Sequence, residues 1–137
     1  MTPDEFLILA KELNAGSVQS PAGESKIRTA INRAYFFILI KIQSSLQAFG
    51  AHFVEGRDTH DQVIQCLFRD RSTTEIAKRL ASLRKKRNDA DYKLRLVGYG
   101  FGSDKALLAI SEAERLSTEY DSLDKGPIVQ AIKKVSP

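Results

Sequence analysis

Ile27-Arg28-Thr29-Ala30-Ile31-Asn32-Arg33-Ala34-Tyr35-Phe36-Phe37-Ile38-Leu39-Ile40-Lys41-Ile42 is the stretch on which the fold turns. Ile27, Ala30, Ile31, Ala34, Tyr35, Ile38 and Ile42, followed by Leu46, recur three and four residues apart. That is the period of a helix and not of a strand. Phe36, Phe37, Leu39 and Ile40 fall outside the stripe, so this helix is apolar nearly all round. Such a helix is buried on all sides. Residues from about 24 to 49 are therefore expected to form a central helix or a subunit interface, and the surplus apolar surface predicts a homodimer.

Working outward, residues 3–14 read as a first helix. Thr2 and Glu5 are spaced as a capping box and Pro3 takes the tolerated first position. Phe6, Leu9, Ala10 and Leu13 form its inward stripe, and a Gly/Ser/Pro loop covers Ala15 to Gly23. Downstream, a short helix is expected from His60 to Phe68, capped by Asp58 or Thr59. A fourth helix should begin at Ser72 or Thr73, with Ser72 and Glu75 as a second capping box, and reach about Leu94. Gly98, Gly100 and Gly102 mark a loop over Val97–Ser103, read as a terminator and turn. The next helix spans Asp104 to Leu123, with Ala106, Ile110, Ala113, Leu116 and Tyr120 inward. Pro127 can open a last short helix. The fold class is all-α: an up-and-down bundle of four main helices plus a short fifth. Residues 1–124 make the bundle, and residues 125–137 a C-terminal tail able to form a short helix.

A chain of 137 residues fits one domain with a real core. Its single cysteine, Cys66, excludes an internal disulfide. The first residues are acidic where a secretory leader is basic, and the run Phe36–Ile40 is far too short to span a bilayer. A cytoplasmic protein without membrane contact is expected. Charge is unevenly spread. Lys78 to Arg95 holds eight basic residues against two acids, a local +6 in a chain of net +4, so the remainder carries −2. Such a focus suits a polyanion or an acidic partner surface, and also fits a plain solvated helix face.

The fourth helix is the informative one. Its apolar stripe Ile76, Leu80, Leu83 continues as Arg84, Arg87, Asn88 and Asp91, charged and polar groups where core positions are due. A charge there must be paired or open onto a cleft. One reading is an internal salt bridge that clamps this helix to the second through Asn32, Arg33 or Tyr35, with Arg87 and Asp91 paired one turn apart. The other is an arginine-lined groove for a phosphate, which the planar guanidinium fork binds with two hydrogen bonds. His52 in a loop and His60 near a helix start read as surface or capping groups. Neither has metal-ligand spacing, and no metal or cofactor is expected.

Three segments resemble the HEPN family of prokaryotic RNA-directed toxins and their catalytically silent relatives. Asn32-Arg33-Ala34-Tyr35-Phe36 looks like the family's small-Arg-Ala-aromatic-aromatic signature. His60-Asp61-Gln62-Val63 resembles the His-x-x-Val that often opens the third helix. Arg84-x-x-Arg87-Asn88-x-Ala90-Asp91-Tyr92 is similar to one version of the family hallmark. The resemblance covers about residues 25–95 and implies a dimer whose hallmarks meet across a cleft. In active members an Arg is followed after four to six residues by a His, and RNA is cleaved without metal. Here Tyr92 stands where the His commonly falls, and no histidine lies in that window of the fourth helix.

The resemblance thus implies an RNA- or nucleotide-associated interaction module of a toxin–antitoxin or defence system, with a minimal nucleotidyltransferase as a candidate partner. Arg84, Lys85, Lys86 and Arg87 would bind nucleic acid. The alternative is an active metal-independent endoribonuclease, with Arg87, Asn88, Asp91 and Tyr92 as catalytic candidates.

Overall fold

The structure, a computed structural model, describes residues 2–15, 23–92 and 103–135, with side-chain surroundings given for all of these except 23–25, 90–92, 103, 104 and 135. Among the described residues it holds six helices and no strand. They are α1 (Pro3–Ala15), α2 (Gly23–Ala48), α3 (Thr59–Leu67), α4 (Arg71–Tyr92), α5 (Ser103–Ser122) and α6 (Gly126–Val135). This is the expected helical bundle, with four long helices and two short ones. The expected Gly98–Gly102 loop and most of the Ala15–Gly23 loop lie outside the described residues.

α2 is the axis, packed by α1, α3, α4 and α5. Its whole predicted stripe, Ile27 to Leu46, is buried. Off the stripe, Phe37 and Leu39 are also buried, while Phe36 and Ile40 are half-buried. One chain therefore covers most of the apolar surface of α2, with Phe36 and Ile40 left half-buried. α5 supplies the facing wall through Ala106, Ala109, Ile110, Ala113, Leu116 and Tyr120. Polar ties fix its register. Tyr120 donates to Ser45 Oγ at 2.6 Å, and Lys41 donates to Ser117 Oγ at 2.5 Å and Asp121 at 2.6 Å. Arg79 of α4 bridges Glu112, at 2.9 Å, and Glu119 of α5.

The helix starts follow local chemistry. Thr2 N donates to Glu5 at 2.8 Å and Glu5 N to Thr2 Oγ1 at 3.3 Å, which completes the capping box. Asp58 caps α3, accepting from His60 N at 2.9 Å and Asp61 N at 3.4 Å. At α4 the Ser72–Glu75 expectation is corrected, since Asp70 is the cap and accepts from Ser72 N at 2.9 Å. The carboxylate two positions upstream of Ser72 takes that amide, and Thr73 donates its hydroxyl to the Leu67 carbonyl. The C-terminal segment, expected as a tail able to form a short helix, forms α6, and its Ile128 and Ile132 are buried in the common core. Among the described residues no helix is long and apolar enough to cross a membrane.

Leu80 joins α4 to this core with no exposed surface. Leu80→Ala is expected to cost about 2–5 kcal/mol, read as a lowered urea midpoint with unchanged slope.

Candidate functional site

α2 delivers Tyr35 and Phe36 to the end of the bundle where α3 begins and α4 runs past. Tyr35 is fully buried, and a buried hydroxyl needs a partner. It finds one in His60 Nδ1, at 2.7 Å. The two rings lie nearly parallel, 9° apart in plane and 5.4 Å between centroids. Phe36 meets the same imidazole edge-on at 5.9 Å and stands 6.0 Å from Phe6 of α1. An aromatic row thus runs from α1 through α2 to α3.

Two arginines of α4 approach this row. The Arg87 guanidinium carbon lies 5.2 Å from the Phe36 centroid and 5.9 Å from that of Tyr35. Attraction between the cation and the ring quadrupoles holds it there. Arg87 Nη1 also donates to the Asn88 side-chain oxygen at 3.5 Å, a long bond. Arg84, one turn earlier, reaches the start of α3. Its two Nη atoms donate one each to Asp58, at 2.5 Å, and to Asp61. The Arg84 side chain is 24% exposed, against 42% for Asp58 and 64% for Asp61, so water still screens these pairs from the carboxylate side. A further arginine, Arg33, lies 5.8 Å from the Phe6 centroid and donates to Asn32 at 3.1 Å.

The electrostatics follow from that packing. Burial raises the Tyr35 hydroxyl well above its usual range, more than the charges of Arg84 and Arg87 pull it down, so it stays a phenol. Burial also lowers His60 below the ordinary imidazole value of 6.5. Arg84 and Arg87 push the same way, and Asp58 and Asp61 oppose them. At Asp58, burial alone would raise the carboxyl. The hydrogen bond and charge of Arg84, with the amides of Asp61 and His60, outweigh it and hold the group below its usual range.

The candidates named from the sequence are thus partly brought together and partly dispersed. Arg84, Arg87 and Asn88 share the α2–α3 side of α4. Lys85 is exposed, and Lys86 lines a separate cavity with Ile31, Asp89, Lys105, Leu108 and Ala109. Asp91 and Tyr92 end α4, and their side chains, with the expected Arg87–Asp91 pair, lie outside the described residues. Of the α2 partners expected for α4, Tyr35 is met by Arg87 through its ring, while the ion pairs of Arg84 go to α3 and its cap. Among the described residues no three His, Cys, Asp or Glu side chains gather as metal ligands do.

His60 is the residue that sequence reasoning set aside. It comes from α3, 27 positions before Arg87, and packs on the same Tyr35 and Phe36 rings that Arg87 meets. The available signal was its place opening the His-x-x-Val segment. Comparison with protein-family models, with characterised proteins and with solved structures gave no match for this chain.

Because the folded state favours neutral His60, the unfolded chain takes up the extra proton between the lowered value and 6.5. This contribution to stability is complete above that window and declines as pH falls through it. The urea midpoint is expected to rise from about pH 5 to about pH 7, and His60→Gln to remove that part of the rise.

Proposed function

We propose that this chain is a HEPN-like interaction module that binds RNA or a nucleotide phosphate, acting in the cytoplasm within a prokaryotic toxin–antitoxin or defence system. One observation supports this above the rest. The three sequence segments that carry the family resemblance, distant along the chain, meet at the Tyr35–His60–Arg87 cluster. Arg87, backed by two aromatic rings, suits a phosphate because its fork can donate two hydrogen bonds to one anion. Asn88 stands beside it as a second polar group. Arg84, engaged by Asp58 and Asp61, contributes positive potential and rigidity more than an open guanidinium. Exposed Lys85 extends the basic surface along the path of a strand.

A homodimer and a minimal nucleotidyltransferase partner belong to this reading through the family resemblance. A dimer mass in light scattering at micromolar concentration is expected, and a monomer mass would remove that part. For RNA binding, the test is fluorescence anisotropy with a short labelled single strand. Arg87→Ala is expected to weaken binding about tenfold, the worth of one good charged hydrogen bond. Lys85→Ala should lower the slope of log affinity against log salt by about 0.7, as one lost phosphate contact does for single strands. Equal affinity of wild type and Arg87→Ala would sink the assignment of the site.

A second reading, a metal-independent endoribonuclease, gains from the place of His60 beside the arginines. In such a reaction the ribose 2′-oxygen attacks its phosphorus, the bond to the 5′-oxygen breaks, the 2′-proton passes to a base, and the leaving oxygen takes up a proton. Arginine stabilises the charge that builds on phosphorus. Incubating the protein with total tRNA in EDTA separates the two. Fragments with cyclic phosphate ends from wild type, absent with Arg87→Ala, would favour the enzyme, and intact tRNA the binding module.

A further inference from the structure

Tyr35 decides which nitrogen of His60 is left to act. Among the described residues, the Tyr35 hydroxyl meets His60 Nδ1 and nothing else. Either the phenol donates to a bare Nδ1, or a protonated Nδ1 donates to the phenol oxygen. In the second arrangement the phenol hydrogen, on a fully buried residue, has no acceptor among the described residues. Leaving a buried donor unmade is the costlier choice. The first arrangement therefore prevails in neutral His60, and the imidazole proton sits on Nε2. When His60 becomes cationic, Nδ1–H donates to Tyr35 and Nε2 still carries its proton. Nε2 is a donor in both states.

The surroundings say what such a donor is for. Nε2 has no hydrogen-bond partner among the described residues. His60 lies in the first turn of α3, where its amide and that of Asp61 are bonded by the Asp58 cap. It shares the Tyr35 and Phe36 rings with Arg87. The acids in its reach, Asp58 and Asp61, are taken up by Arg84.

We propose that His60, its tautomer fixed by Tyr35, is a phosphate-oxygen donor that works with Arg87 through Nε2–H, and is not a proton acceptor. This rests on the reading of the cluster as a phosphate site and names the residue that completes it. Its ligand is a phosphate monoester or diester anion. If RNA is cleaved here, His60 hands a proton to an oxygen of the phosphate or leaving group, and the 2′-proton goes to another base. Tyr35 is then a positioning residue.

The test begins with nitrogen-15 spectra of the wild-type imidazoles, the two histidines told apart by His52→Gln. His60 is expected to show a bare Nδ1 and a protonated Nε2, and Tyr35→Phe to yield a mixture of tautomers. Inorganic phosphate, and then a short single-stranded RNA, should shift both the Nε2–H and the Arg87 side-chain signals. His60→Gln, whose amide can replace an Nε2 donor, should keep RNA affinity within about threefold, and His60→Ala should lose about tenfold. A protonated Nδ1 in the wild type would overturn the proposal. So would an Arg87 response without one at His60, and the phosphate site would survive that result. Silence of both residues would remove the phosphate site and this proposal together.

Discussion

Tyr35 brings a hydroxyl into the centre of a helix that is otherwise apolar on nearly every side, and the far end of the bundle is organised around that one polar atom. The hydroxyl must be bonded or its burial is costly. His60 bonds it, which holds the first turn of α3 against α2. The start of α3 presents Asp58 and Asp61, and their charges in turn fix Arg84. With Arg84 fixed, α4 is set in rotation, and Arg87 one turn later falls over the Tyr35 and Phe36 rings. Each link is an ordinary interaction. The sequence of links converts a packing requirement into a defined cluster of cations.

Asp58 shows how closely folding and site are joined. One Oδ atom caps α3 through the amides of His60 and Asp61, and the other takes the Arg84 guanidinium. The same carboxylate thus starts one helix and locks it to another. A half-buried ion pair of this kind gives specificity of arrangement more readily than net stability. Stability comes from elsewhere, from the apolar contacts of α2 with α1, α4 and α5 and from the α6 isoleucines that close the base.

The cations of α4 fall into two sets with different tasks. Arg84 gives both Nη atoms to carboxylates of α3 and its cap, whereas Lys85 and Lys86 are exposed, Lys86 beside a cavity it lines with residues of α5. Within α4 the cations named here thus do not form one continuous ligand surface. Arg79 likewise belongs to the scaffold, bound to Glu112 and Glu119. Arg87 lies over the Tyr35 and Phe36 rings, a cation placed on aromatic faces at the junction of α2 and α4.

The helices were legible in the sequence because helical periodicity and capping are local. The stripe Ile27 to Leu46, the Thr2–Glu5 box and the Asp58 cap each depend on residues within a few positions of one another. The cap of α4 was misplaced by two positions because Asp70 and Ser72 compete for the same amides and local pattern does not rank them. Arg84 and Arg87 were also legible, as charges on an apolar stripe, but their partners were not. Nothing in the sequence says that Arg84 turns to α3 while Arg87 turns to α2, since that depends on how three helices cross. The pairing of His60 with Tyr35 was not legible for the same reason. His60 lies 25 residues from Tyr35 in sequence and 2.7 Å from it in space, and only tertiary packing turns the one separation into the other.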